Sequence, residues 1–365
     1  MDKTREKTID INPIPYLTWT WLKINKDSVS YDFSLTENNG IENRLPEGIS
    51  TGTGKTVKTE LPEPESSIGK EAAKLISDSA AGKIYTIEKT TSEPLIIRIK
   101  LDSNSATHQI IHAKAGTSAN IIIVYDGWLS SPEGVSKPQV LSGVITKVYA
   151  EDDAKLHISK VQLCGKNVNQ IDDTQVVCGE RAKVTLTQIE LGGAHINAGF
   201  HATLEGYQSS FYSDTAYICQ ENQYLDMNQV VVHKGKKTVC DMKTHGTAKD
   251  ETTKTYRGTI DMRRGCAGSV GNEIETTLLL SPKAVVKAAP IILCGEEDIA
   301  AEHGSTIGKL SNEMLFYMNS RGIDQKTAEA LLTRAKITAA ASAIEDENIR
   351  EEIDKWIASS QSSSQ

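Results

Sequence analysis

Several residue groups in this 365-residue chain have types and spacings that chemistry requires. The run Thr51-Gly-Thr-Gly-Lys-Thr56 ends like a phosphate-binding loop. Such a loop needs a first glycine at position 49, a strand before it and a helix after it, so that backbone N–H groups cradle phosphate. Position 49 is Ile49, no strand pattern precedes it, and Val-Lys-Thr-Glu-Leu-Pro-Glu-Pro-Glu follows, so a nucleotide site is not expected. His108-Gln-Ile-Ile-His112 has the spacing of a zinc metalloprotease helix, which needs Glu at the second position. Gln109 stands there and the surroundings read as strand, so these are ordinary strand histidines. Six cysteines, at 164, 178, 219, 240, 266 and 294, form no Cys-x-x-Cys pair and read as reduced, mostly buried thiols. Asp102, Asp126, Asp152 and Asp153 read as turn residues. No Gly-x-Ser-x-Gly elbow occurs, and the acids and histidines form no catalytic constellation. That pattern points to a chain that works by assembling partners.

Composition narrows the classes. Forty basic against 48 acidic residues leave a formal charge of −8, which argues against a nucleic-acid partner. The opening residues are charged and lack an apolar h-region, and no run of about 18 apolar residues follows. The expectation is a cytoplasmic protein without a membrane partner. Hydrophobic residues make up 38% and aromatics only 5%, so the core must be built from Ile, Val, Leu and Ala.

These residues need elements to hold them. Residues 1–82 read as a mixed N-terminal region, with a polar linker over 39–66 and a helix whose face carries Ile68, Ala72, Leu75 and Ile76. Residues 83–308 read as repeated short β-branched strands. Three turns share a pattern before a strand: Ala115 to Ala119, Ala150 to Ala154 and Cys178 to Ala182. An imperfect turn-plus-strand repeat predicts stacked rungs, each burying its inward face on the next. A large β-sandwich is the rival, but Asn-Gly and Asp-Gly hairpin turns are scarce. Residues 309–358 read as helical, with Ser311 and Asp324 as N-caps and Gly322 ending the first helix. Ile349, Ile353, Trp356 and Ile357 form an apolar stripe, and 359–365 read as a disordered tail.

Residues 290–334 carry a more specific signature. His303-Gly304, Ile307-Gly308, Leu310, Glu313, Leu315-Phe316-Tyr317, Ser320-Arg321-Gly322-Ile323, Ala328 and Leu331-Leu332 closely resemble the C-terminal signature of the SufB/SufD family of the SUF iron–sulfur cluster assembly system. Weaker likeness covers 256–262 and 276–284. The resemblance implies a mainly β fold, a right-handed parallel β-helix between N-terminal and C-terminal helical regions. Glu275 stands near the scaffold cysteine of the SufB-like branch and Gly304 at its Glu, so the His-Gly pairing is SufD-like; Ala301 stands where SufD-like sequences often have Cys.

The implied role is a non-catalytic SufD-like subunit. It would pair with a SufB-like subunit, or a second copy, through β-helix edges, and with a SufC-like ABC ATPase through its helices. His303, Glu302 and Cys294 are the candidates for the SufB-like interface. His303 is the candidate metal ligand, since a neutral imidazole can hold iron or position a sulfur-bearing group. Leu315, Phe316, Tyr317, Arg321 and Leu331 are the candidates for the ATPase contact. No cofactor is expected to stay bound, beyond a transient Fe–S cluster at a subunit interface. The alternatives are a self-sufficient homodimeric scaffold and a β-helix carbohydrate-active enzyme.

Overall fold

A computed structural model describes residues 6–16, 19–127 and 138–362. From Lys83–Ile87 to Ile299–Gly308 the strands alternate between two parallel sheets, making a β-solenoid of about seven turns. Pairing is in register: Ala113, Ala150, Cys178, Leu204, His233, Met262 and Cys294 form one column through the rungs. Parallel pairing excludes the hairpin-built sandwich. Inward positions such as Val144, Val148, Ile158, Val184, Leu186 and Ile260 fill the space between the sheets. Five of the six cysteines are buried and Cys294 is exposed.

The repeated turns form one corner of the solenoid. Asp153, Arg181, Gln208 and Lys237 each sit at positive φ as the third turn residue. The turns bond to one another down the stack: Asp153 N–H donates to Glu180 O, Arg181 to Tyr207 O, Gln208 to Lys236 O and Lys237 to Ala267 O, at 2.7–3.0 Å. Asp152 Oδ1 accepts from Glu180 N at 2.8 Å, and Asp153 takes Arg181 in two bonds of 2.7 Å, so both are turn residues as read. Glycine opens the turn where rungs approach most closely. A Cβ on Gly206 would lie 2.2 Å from Glu180 N, and one on Gly235 2.3 Å from Gly206 O.

The N-terminal part holds strands and the expected helix with Ile68, Ala72 and Ile76 buried, but part of the expected linker is strand. Ile41–Arg44 runs antiparallel to Leu95–Lys100, and Ile49–Thr53 antiparallel to Lys83–Ile87. The supposed linker therefore caps the first rung, supplying partners for strand edges that would otherwise be open. The Thr51–Thr56 run lies partly in this cap, and the next helix starts only at Lys70, too far on for a phosphate-binding loop. A further antiparallel pair, Glu6–Ile11 with Asp27–Asp32, and helix α1 (Lys70–Asp78) lie against the ten-stranded sheet. Polar anchors hold this layer. Ser67 donates through N and Oγ to Asp173, Asn228 donates to Ser67 O, Asn12 donates to Asp226, and Arg257 donates to Asp226 and to Ile24 O.

Three helices follow the last strand: α2 (Asn312–Ser320), α3 (Gln325–Ala341) and α4 (Glu347–Ser362). Ser311 Oγ accepts from Met314 N and Asp324 Oδ1 from Thr327 N, and Gly322 ends α2 at φ 79°. Ile337, Ala340, Ile349, Ile353, Trp356 and Ile357 pack on Val161, Leu163, Ile189 and Leu191 of the nine-stranded sheet. Helix α4 continues through Ser362, so 359–362 are helical and not part of a disordered tail; 363–365 lie outside the described residues. Hydroxyls of Ser359 and Ser360 turn back onto the carbonyls of Trp356 and Ile357, which lets a serine run stay helical. Among the described residues no helix is long and apolar enough to cross a membrane.

The interior is not wholly aliphatic. Buried Lys160 contacts Asp172 at 2.6 Å and donates to Thr174, while Tyr125 donates to Asp172. Gln188 donates to nearby Glu190, and burial, with the like charge of Asp172, pushes the Glu190 carboxyl up to about 7. An unfolded Glu loses its proton near pH ~4.3. The folded chain thus binds more protons across that window, so this contribution is fullest below it and is lost as pH rises through 7. Unfolding free energies from urea titrations between pH 5 and 8 should fall in the wild type relative to Glu190→Gln, by about 3 kcal/mol. Parallel profiles for the two proteins would refute it.

Candidate functional site at the open end

Among the described residues no strand caps the C-terminal end of the solenoid. Val285–Cys294 is the edge of one sheet and Ile299–Gly308 the edge of the other, each bonded to a strand on one side only. Both strands are largely accessible, in contrast to the rungs beneath them. Unpaired strand edges are sites where another chain can add.

Register fixes which side chains line this mouth. His303 pairs with Glu273, Ser305 with Glu275 and Ala301 with Gly271, all on the inward face. Cys294 pairs with Met262, also inward, at the far end of its strand, and borders a groove lined by Tyr16, Arg263 and Arg264. His303 lies four residues beyond Ile299, about 13 Å along the strand from the corner that follows Cys294. The two therefore do not share one coordination sphere. Glu302 pairs with Asn272, and alternation puts it on the opposite face from His303. Of the three predicted interface residues, His303 and Cys294 thus lie on the mouth's inner face and Glu302 lies outside. Among the described residues no group of three His, Cys, Asp or Glu side chains is placed to hold a metal.

Beneath His303 and Ser305 lies a cluster that sequence reading missed. Lys254 Nζ and Thr277 Oγ1 donate to Glu275 Oε1, and Ser305 Oγ donates to Glu275 Oε2 at 2.6 Å. Lys254 and Glu275 are fully buried. Their contacts hold the Glu275 carboxyl below its usual range despite the opposing effect of burial, and burial pulls the Lys254 ammonium down. Glu275 is therefore closed in a buried ion pair with Lys254. Glu273, one rung below His303, is also fully buried, and burial pushes its carboxyl up to about 8. Sequence alternation gave no signal, because on this strand Val270 and Ile274 are the exposed residues and Glu273 and Glu275 the buried ones.

The predicted ATPase-contact residues follow directly. Phe316 is 76% exposed, Tyr317 and Leu331 are exposed, and Leu315 is half-buried. Arg321 lies over the Tyr317 ring at 5.4 Å, and α2 touches α3. No residue of α2 is buried, so the helix presents Met314, Phe316 and Tyr317 without a covering element.

The other tempting groups separate. His108 Nδ1 meets Ser77 Oγ at 3.0 Å, while His112 Nε2 meets Glu151 Oε1 at 2.7 Å. Four residues along a strand they stand about 13 Å apart, too far to chelate one ion.

The sequence is similar to those of known proteins. The family described as SUF system FeS cluster assembly, SufBD core domain, matches residues 97–336. A chloroplastic iron-sulfur cluster assembly SufBD family protein of Arabidopsis thaliana is 26% identical over 214 residues, 55% of this chain and 38% of that protein. Iron-sulfur cluster assembly protein SufD of Escherichia coli is 23% identical over 204 residues, 55% of this chain and 48% of that protein. Iron-sulfur cluster assembly protein SufB of Bacillus subtilis is 21% identical over 216 residues, 58% of this chain and 46% of that protein. The alignments span about half or less of these relatives' lengths, and both named branches are among them. With parallel rungs over most of the matched region and the His303 signature at its last strand, the chain belongs to the SufBD core family.

Proposed function

We propose that this protein is a SufD-like subunit of an iron–sulfur cluster assembly complex. Its uncapped last rung docks a SufB-like subunit, and α2 with α3 docks a SufC-like ABC ATPase. ATP hydrolysis belongs to that ATPase, and this chain serves as a non-catalytic, cytoplasmic scaffold component. A cluster is built transiently at the interface, with His303 on its rim.

The observation that carries this reading is the open end: two adjacent unpaired strand edges, followed at once by a helix with exposed apolar side chains. Large aromatic side chains of this kind are common interface anchors. The closed Lys254–Glu275 pair weighs against the self-sufficient scaffold, because no thiolate stands there.

The test is co-expression with the SufB-like and SufC-like proteins, followed by size exclusion and anaerobic cluster reconstitution. A ternary complex is expected, with cluster formed only in combinations containing the SufB-like subunit. Because His303 is exposed, His303→Ala should change stability by less than ~0.5 kcal/mol yet lower the cluster yield of the complex several-fold. No complex, or a stable cluster on this chain alone, would sink the proposal.

A further inference from the structure

One arm of the N-terminal layer climbs the ten-stranded sheet to its bare edge. Asp27 meets His195 Nε2 at 2.9 Å, Ile24 O accepts from Arg257 at 2.6 Å, and Leu22 O accepts from Lys287 at 3.2 Å. His195 opens the strand His195–Leu204, Arg257 lies two strands on in Thr253–Met262, and Lys287 lies in the edge strand Val285–Cys294. Ala289 is the one buried residue of that edge strand. It pairs with Arg257, and alternation puts it on the face of Lys287, the face on which the arm lies.

The tip of the arm is a braced turn. Lys23 N–H donates to Thr20 O at 3.2 Å, with Lys23 at φ 54°. Asn25 holds both sides of it, accepting from Trp19 N at 2.8 Å and donating to Thr20 Oγ1 at 3.1 Å. Trp21 stands on this tip and is 78% exposed. A large, rigid indole in water is unfavourable for an isolated chain, and Trp is among the commonest interface anchors. A turn that is already ordered loses little entropy when it binds. A strand added to Val285–Cys294 would lie about 4.8 Å beyond it. The Lys287 bond fixes the tip at that edge, so the added strand passes beside Trp21.

We propose that Trp21 is a clip for an added strand. It lies over the outer face of the strand that a docked subunit pairs with Val285–Cys294, and takes an apolar side chain of that strand against its indole. The clip rests on the reading of the open end as the docking surface. It extends that surface from the backbone edge, which any strand can satisfy, to a side-chain contact that selects what the strand carries.

The test is a calorimetric titration of the full chain with the SufB-like subunit. Trp21→Ala should weaken binding about thirtyfold or more, the scale of an interface anchor, and Trp21→Phe should keep most of the affinity. Tyr207→Ala removes an exposed aromatic from a turn three rungs below the edge and should leave the affinity unchanged. Acrylamide quenching of tryptophan fluorescence should fall on complex formation in wild type more than in Trp21→Ala. Thermal unfolding of the free variants should match wild type, which separates lost binding from lost fold. Binding by Trp21→Ala within about threefold of wild type, or an equal loss in Tyr207→Ala, removes the clip and leaves the docking reading. No complex with the wild-type chain removes both.

Discussion

Replacing Arg257 with methionine is expected to destabilise the fold by about 3–5 kcal/mol, the range for removing one partner of a buried ion pair. Arg257 and Asp226 are both buried, and the guanidinium also donates to Ile24 O at 2.6 Å. Asn12 Nδ2 donates to the same carboxylate at 2.6 Å, so one cluster ties the N-terminal layer to the outer face of the solenoid. Methionine fills much of the volume but leaves the Asp226 charge uncompensated and Ile24 O without its donor. The double variant Arg257→Met, Asp226→Leu removes the stranded charge and should recover part of the loss, and with the single Asp226→Leu it closes the cycle that isolates the pair's coupling. Urea unfolding at neutral pH reads both effects. A single variant within 1 kcal/mol of wild type would show that the pair is dispensable.

Gly206→Ala is expected to cost about 3 kcal/mol or more, the upper part of the range for overpacking. The added Cβ would meet Glu180 N and Gly179 C at 2.2 Å and Glu180 Cα at 2.5 Å. These are backbone atoms of the preceding turn, which cannot rotate away as a side chain would. The stacked corner would have to open. Gly304→Ala is the control, since a Cβ there meets nothing within 4 Å. It should change stability by less than ~0.5 kcal/mol. Equal effects of the two substitutions in thermal unfolding would refute the corner argument.

Part of the repeat was legible because the turns at 150–154 and 178–182 keep a small residue, three turn residues and Ala; the run 115–119 is two residues out of step, since Ala119 pairs with Leu156 and Thr117 stands where Ala154 and Ala182 do. The structure continues it at Gly206-Tyr-Gln-Ser209 and Gly235-Lys-Lys-Thr238. There Ser209 and Thr238 replace the closing Ala, which hid two members. The strands capping the first rung were not legible. Ile41-Glu-Asn-Arg44 and Ile49-Ser-Thr-Gly-Thr53 are short and polar, and their strand form comes from the edges they cover. At the site, the resemblance pointed to His303, and strand alternation separates it from Glu302. Lys254 and Glu273 escaped notice because a charge in a strand is ordinarily a surface residue. Only the register shows that these face inward.

The two ends of the solenoid are unlike in what they offer another chain. The first rung is covered by antiparallel strands of four and five residues, largely polar, and these become the sheet edges at that end. The last rung ends on two bare strands of ten residues each. Short, polar edges are poor acceptors for an added strand and long ones are good acceptors. The stretch 41–53 thus blunts one end of the stack and leaves strand addition favoured at the other.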